Sequence, residues 1–338
     1  MRAPDFWRRD GGRVIPGLLA PFSAVFHLGA RLRKAMAKPW RAPVPVICVG
    51  NLTVGGAGKT PTVLALADRL QASGLRVGCL SRGYGGRLHG PVQVDPARHA
   101  AADVGDEPLL LARAAPTWIA RDRKDGARVA IGEGVDVVLL DDGLQNRALA
   151  HDIALVVVDA GYGFGNGRLL PAGPLREPVA AGLARATAVV LIGEDRGGLA
   201  AELAGKVATV LTAQLVADDD ALALKGRKVF AFAGIGRPEK FFATLGELGA
   251  QLVERVAFAD HHAYTPDEAM RLVEAAEACG AVPVTTAKDF VRLPEGAARM
   301  VTPVRVHLRF DQPDALDRVL KPVLQPGSGF DQKGGEHG

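Results

Sequence analysis

The feature that most constrains this chain is an apolar run that ends in a glycine-rich loop and feeds a helix-forming stretch. Residues 43–49 read PVPVICV, and GNLTVGGAGKTP follows from Gly50. A β-rich run before the glycines and a helical stretch over residues 62–72 supply the strand–loop–helix setting that makes a phosphate loop credible. Thr53, Gly55, Gly56, Ala57 and Gly58 form the loop, whose glycines let backbone N–H groups turn inward around an anion. The helix N-terminus adds the positive end of its dipole. Lys59 would reach the β- and γ-phosphates of a nucleoside triphosphate, and Thr60 would ligate Mg²⁺. One position departs from the usual spacing: Thr53 stands where the first glycine is expected.

The rest of the chain extends this unit into an α/β fold. Apolar strands are expected at residues 75–80, 117–120, 135–140, 153–158, 188–192 and 207–211, with helices at 106–114 and 123–132 between them. Near-continuous Val/Ile/Leu strands alternating with helices indicate a parallel sheet covered on both faces. The strand VDVVLL ends in Asp141-Asp142, which brings a carboxylate beside the loop to hold Mg²⁺, directly or through water. Residues 41–216 are thus expected to form a P-loop NTPase-type domain. The acidic run Asp218-Asp219-Asp220 reads as a linker, and residues 217–324 as a smaller α/β/α domain. Its strands fall at 229–233, 252–258, 282–286 and 301–308. Its helices fall at 239–248 and 265–279, the second with Thr265 as cap, Pro266 at its first position and Glu268 at capping-box spacing. Residues 325–338, rich in Gly and charge, read as a loose tail.

Residues 1–40 are expected to form an amphipathic helical segment. Pro21 suits a first turn, and Phe22, Val25, Phe26, Leu32 and Met36 fall near one face. Trp7, Val14, Ile15, Leu18 and Leu19 lie upstream. Arg2, Arg8, Arg9, Arg13, Arg31, Arg33, Lys34 and Lys38 outnumber Asp5 and Asp10. This pattern suits a helix lying in a lipid interface, and equally a helix packed on the protein's own core. The chain's net charge of +4 favours an anionic partner without naming one. No apolar run reaches the ~20 residues of a membrane span, and the N-terminus lacks the order of a cleaved signal, so a cytoplasmic protein is expected. Cys48, Cys79 and Cys279 read as buried free thiols, and no Cys/His cluster suggests structural zinc.

Seven stretches, in order, resemble one family. They are VGNLTVGGAGKTP, SRGYGG (81–86), GDEP (105–108), DDGLQN (141–146), FGNGRLLPAGPLREP (164–178), FADHHAY (258–264) and TTAKDFVR (285–292). Together, over residues 45–292, the chain is similar to the tetraacyldisaccharide 4'-kinases of lipid A biosynthesis, in which Thr53 is an ordinary loop residue. The resemblance implies ATP and Mg²⁺, and transfer of the γ-phosphate to the 4'-hydroxyl of a tetraacylated glucosamine disaccharide 1-phosphate, giving lipid IVA. It implies two α/β/α domains with a cleft between them. It also implies a peripheral place on the cytoplasmic face of the inner membrane, through the N-terminal helix on an anionic surface.

Residue roles follow from the same resemblance. Asp106 is the expected general base, against a plain reading in which Asp106 and Glu107 only favour a helix N-terminus. His261 assists it, His262 less so, which requires the second domain to close onto the first. Asp141 and Asp142 join Thr60 around the metal, Glu177 supports that metal site from behind its direct ligands, and Arg176 could stabilise charge on the transferred phosphoryl group; Arg176 and Glu177 also suit a simple surface ion pair. Arg82 could meet substrate or phosphate, and Lys288-Asp289 the adenine end of the cleft. Two other functions stay open. One is a partner-activated ATPase switch of the ParA or metallochaperone type, though the extra loop lysine with which such dimers reach a partner's phosphate is missing from Thr53-Val54-Gly55-Gly56. The other is a non-catalytic membrane-bound nucleotide sensor, which would tolerate loss of Asp106. Neither a nucleic acid nor an obligate protein partner is expected.

Overall fold

The computed structural model describes residues 4–35 and 38–325. A short 3-10 turn at Asp5–Trp7 precedes helix α1 (Val14–Ala35), β1 (Val46–Gly50), α2 (Lys59–Ala72), β2 (Val77–Ser81), β3 (Val92–Gln93), α3 (Ala101–Val104), α4 (Asp106–Leu111) and β4 (Thr117–Ile119). Next come α5 (Arg123–Gly132), β5 (Val137–Asp141), β6 (Ile153–Asp159), α6 (Val179–Leu183), β7 (Ala188–Ile192), α7 (Leu199–Ala204) and β8 (Val210–Ala217). The remainder is α8 (Asp219–Leu222), β9 (Lys228–Ala233), α9 (Pro238–Glu247), β10 (Gln251–Ala257), α10 (Pro266–Ala278), β11 (Val282–Thr286), α11 (Ala287–Phe290), α12 (Glu295–Ala298), β12 (Thr302–Val304), β13 (Val306–Phe310) and α13 (Pro313–Leu324).

These elements build two sheets. The larger runs β13-β8-β7-β6-β1-β5-β2-β4-β3 and the smaller β10-β9-β11-β12. The larger sheet is parallel except where β13 meets β8 and β3 meets β4; the smaller is wholly parallel. β1, β5, β6 and β7 are buried at every residue, which is why their sequences, apart from the strand-ending Asp141 and Asp159, are apolar and do not alternate. β1 lies between β5 and β6, with Val49 opposite Asp141 and Gly50 opposite Val156. The loops leaving these three strands therefore emerge together at the sheet's carboxyl edge, where open α/β sheets bind ligands.

One face of the larger sheet packs against α2 and α13 through Leu66, Leu70, Leu316 and Leu320; the other packs against α5, α6 and α7 through Ala127, Leu183 and Leu203. Leu66, Leu70 and Leu320 are fully buried, so truncating any one to Ala costs roughly 2–5 kcal/mol. In the smaller sheet, α8 and α9 cover one face, and α10 and α12 the other.

Several expectations need correction. Residues 301–308 do not form one strand closing the smaller sheet. The run breaks at Arg305: β12 stays in the smaller sheet, and β13 pairs antiparallel with β8 in the larger one. α13 follows onto α2, where Asp317 pairs with Arg69. Residues 306–324 thus belong with the larger sheet, because their apolar side chains complete its core. Asp218–Asp220 is no loose linker. Asp218 N donates to the Arg305 carbonyl, Asp218 and Asp220 pair with His307 and Arg305, and α8 begins at Asp219.

α1 starts at Val14, so Pro21 lies inside it; Pro16 takes the first turn, where a missing N–H costs nothing. Pro16 and Ser23 are buried on one side of α1, and the Ser23 hydroxyl donates to the Leu169 carbonyl at 3.0 Å and accepts from Ala172 N at 3.2 Å. On another side Val14, Ile15, Leu18, Phe22 and Val25 are exposed, by 51–76%. The side chains of Phe26 and Leu32, and residue Met36, lie outside the described residues, as does the tail from 326 on. Among the described residues no helix is long and apolar enough to cross a membrane. Cys48 and Cys79 are buried as expected, and burial drives both thiols well above their usual range; Cys279, which follows the last residue of α10, is exposed.

Candidate active site

The loop after β1 is fixed at both ends before any ligand is considered. Val54 N donates to the Pro174 carbonyl at 2.9 Å, Arg176 N donates to the Leu52 carbonyl at 2.8 Å, and Thr53 pairs antiparallel with Leu175. Thr53 is buried in that bridge, so its role is to stitch the loop to residues 174–176. Buried Asn51 donates to the Gly55 carbonyl at 3.3 Å and accepts from Lys59 Nζ at 3.4 Å. Gly58 has φ 92°, which favours glycine, and a Cβ there would also press on Ile192 Cδ1 at 2.6 Å. Gly55, Gly56, Ala57, Gly58, Lys59 and Thr60 all border one continuous cleft of about 3500 Å³ between the two sheets.

Asp141 and Asp142 end the neighbouring strand and face different surroundings. Asp142 has φ 56°, a left-handed conformation costing roughly 1–3 kcal/mol in a non-glycine residue. Both its oxygens accept from Arg176 Nη1 at 2.9 Å, and Oδ2 lies 3.8 Å from Lys59 Nζ. Burial would raise its carboxyl, but Lys59 and Arg176 outweigh that and hold it below the usual range. Asp141 is 1% exposed, and neither carboxylate oxygen has a hydrogen-bond partner. Burial, with the charge of Glu107, raises its carboxyl to about 8. An orphaned buried carboxylate beside a phosphate loop fits a divalent cation or its bound water, which would supply the missing partner.

Glu177 sits in a buried ion pair. Its carboxylate accepts from Arg185 Nη2 at 2.8 and 2.9 Å and from Gln145 Nε2 at 3.1 Å. The side chain is buried, so its charge demands this compensation. Gln145 also donates to the Asn51 carbonyl at 3.0 Å, tying Glu177 to the loop. Arg176 pairs with Asp142, not with Glu177, and borders the cleft.

Across the cleft, Asp106 begins α4 and is 3% exposed. Its Oδ1 accepts from Glu107 N at 2.9 Å, and its Oδ2 lies 3.0 Å from His261 Nδ1, contributed by the loop after β10. Lys288 Nζ and Arg292 Nε stand 3.9 and 3.5 Å from the same oxygen. Burial pushes the Asp106 carboxyl up, and His261, Lys288 and Arg292 together pull it below its ordinary value. His261 has φ 59° and an edge contact with Tyr84 at 5.6 Å. Asp142 and His261 are the non-glycine residues with positive φ among the described residues, and both belong to this cleft.

His262 instead bonds Glu268 at 2.7 Å and stacks on Phe258 at 4.5 Å. That contact takes the Glu268 side chain while Thr265 Oγ1 accepts from Glu268 N, so the capping box at α10 is half formed. Lys288 donates to Glu107 at 3.0 Å and borders the same cleft. Asp289 is fully buried and accepts from Gly234 N, Tyr264 Oη, Thr286 Oγ1 and Arg292 Nη2, at 2.6–2.8 Å. It organises the loop that carries His261, since His261 N donates to the Gly234 carbonyl. Arg82 borders the cleft with Arg121 and Arg123. Sequence reasoning missed Asn51, Arg185 and Gln145, and quoted Arg292 without a role; only Asn51, next to the strand end in VGNLT, left a local signal.

A central strand feeding a glycine loop with GKT, a carboxylate pair on the next strand, and a second α/β unit offering a carboxylate–histidine pair define a P-loop phosphotransferase. The comparisons narrow that class. A sequence profile of the tetraacyldisaccharide-1-P 4'-kinase family matches residues 15–325. The tetraacyldisaccharide 4'-kinase of Rhodospirillum centenum is 55% identical over 99% of both chains, and that of Rhodospirillum rubrum 53% over 96% of this chain and 98% of its own. The crystal structure of LpxK from Aquifex aeolicus in complex with ATP superposes with a TM-score of 0.71 at 29% identity, over 92% of this chain and all of that one. This chain belongs to the tetraacyldisaccharide 4'-kinase family.

Proposed function

We propose that this protein transfers the γ-phosphate of ATP to the 4'-hydroxyl of a tetraacylated glucosamine disaccharide 1-phosphate at a membrane surface. The observation that carries it is the Asp106–His261 contact, set across one cleft from Lys59 and Asp142. The backbone amides of 55–59 and Lys59 bind the phosphates, and Arg176 offsets charge on the group in flight. Thr60 and Asp141, with Asp142, would hold Mg²⁺, which neutralises β- and γ-phosphate charge when bound. Asp106 stays ionised at neutral pH and accepts the proton of the sugar hydroxyl; His261 orients it. In this form His261 borders the cleft while Asp106 lies beneath it, so the two units part to admit the acceptor and close again for transfer.

α1 gives the acceptor its setting. It is held by Ser23 and Pro16, and its apolar stripe of Val14, Ile15, Leu18, Phe22 and Val25 suits the interface of an anionic leaflet, at the cytoplasmic face of the inner membrane. The ATPase-switch alternative has less support, since the full-length family match belongs to kinases.

Radiolabelled ATP with tetraacyl disaccharide 1-phosphate in detergent micelles tests the reading. Label is expected in the lipid and not in soluble sugars. Label confined to inorganic phosphate would favour an ATPase. Leu18→Glu with Phe22→Glu is expected to lower binding to anionic vesicles at least roughly tenfold, given ~1.5–3 kcal/mol per buried side chain; unchanged binding would remove α1 as the anchor.

A further inference from the structure

The first turn of α9 brings two cations of the smaller unit onto the phosphate loop. Arg237 Nη2 donates to the Gly56 carbonyl at 2.6 Å and to Asp159 Oδ2 at 2.9 Å. Lys240 Nζ donates to the same Asp159 oxygen at 2.9 Å. Asp159 ends β6, the strand beside β1, and is 8% exposed. The preceding turn also touches the loop, since a Cβ on Gly236 would lie 4.0 Å from Gly56 N.

One buried carboxylate thus holds two positive charges, one more than its own charge requires. Lys240 alone can neutralise Asp159, which leaves Arg237 able to depart without orphaning a buried charge. The Arg237 side chain is 38% exposed, lies over the Tyr162 ring at 5.4 Å and commits a single nitrogen. Arg237 borders the cleft together with Gly55 and Gly56, and its guanidinium carries further N–H donors.

We infer that Arg237 is a phosphate-contacting residue supplied by the smaller unit. It rests here on Asp159 and Gly56, and turns its fork of donors onto the terminal phosphates of a bound triphosphate while Lys240 keeps Asp159 paired. A triphosphate carries more negative charge than Asp159 does, and a guanidinium matches phosphate oxygens two at a time. The loop lacks the extra lysine with which dimeric P-loop switches reach a partner's phosphate, and a cation from the smaller unit of the same chain rests against it. The inference rests on the kinase reading for the identity of the acceptor, not for the nucleotide contact.

The test uses full-length protein, Arg237→Gln, Arg237→Lys and Lys240→Met. Calorimetry would measure ADP and ADP–aluminium fluoride binding, with Mg²⁺ and acceptor lipid present, and kinetics would measure lipid phosphorylation. Arg237→Gln should keep ADP affinity within about threefold, which also reports an intact fold. It should lose at least roughly tenfold in fluoroaluminate affinity and roughly 10²-fold in kcat, with lipid KM unchanged. Arg237→Lys should fall between, and should serve if the glutamine variant does not fold. Lys240→Met should weaken fluoroaluminate binding severalfold, because Asp159 then retains Arg237. Parental fluoroaluminate affinity in Arg237→Gln would overturn the inference. A parent protein that forms no lipid product would instead overturn the acceptor reading, and the fluoroaluminate result would still decide the role of Arg237.

Discussion

The phosphate side and the acceptor side of the cleft are assembled in different ways. The phosphate side comes from the carboxyl ends of β1 and β5, neighbouring strands of one sheet with all their residues buried. Lys59, Asp141 and Asp142 are in place as soon as that sheet folds. The acceptor side joins Asp106 of the larger unit to His261, Lys288 and Arg292 of the smaller one, and Asp106 and His261 are 155 residues apart in the chain. One side therefore takes its loop, lysine and carboxylates from the larger unit, with Arg237 as a contact from the smaller one, while the other exists only when the two sheets meet. Such a division suits a kinase that must hold ATP firmly and still admit a bulky lipid sugar.

If the acceptor side depends on Asp106 as a base, Asp106→Ala should lower kcat by roughly 10²–10⁴-fold and leave ATP binding unchanged. An equal loss of ATP affinity would place Asp106 on the phosphate side and break the contrast. Asp141→Asn probes the opposite wall. Removing that charge should weaken Mg²⁺-dependent nucleotide binding by roughly 10–100-fold, the range seen when a metal site loses a supporting carboxylate. Without metal it should raise Tm at pH 8 and above. Asp141 is raised in the folded protein from the ordinary carboxylate range to about 8, so its ionisation opposes folding progressively across that interval and by its full, constant amount above it. A fall in Tm there would show that the carboxylate is already satisfied.

The smallest effect concerns pH. Lys288 and Arg292 help keep Asp106 low, so Lys288→Met should move the acid limb of the kcat/KM profile upward, since a base with a raised pKa is protonated earlier as pH falls. The plateau rate should change little. An unmoved limb would mean that another group sets it.

The same contrast explains what the sequence disclosed. Lys59 and Thr60 were legible because strand, loop and helix start are contiguous, and Asp141 and Asp142 because they close an apolar run that pairs with β1. The strands of the larger sheet were legible because burial on both faces leaves only apolar residues. The division at Arg305 was not, since VTPVRVHLRF carries a single β-rich signal and only pairing decides which sheet takes each half. The Glu177 ion pair was illegible for a related reason: its partner, Arg185, is supplied by the chain beyond α6, and nothing local marks the pair. Asp159, Arg237 and Lys240 have no signature at all, because the charge cluster forms only by docking of α9.

A double-mutant cycle on Asp106 and His261 measures most directly whether the acceptor side is one unit shared by two domains. His261→Ala alone should lower kcat by roughly 10–100-fold, the worth of one hydrogen bond to a charged group. Combined with Asp106→Ala it should add almost nothing, because the histidine acts only through the carboxylate it orients. Losses that simply multiply would contradict the account and make His261 an independent contributor.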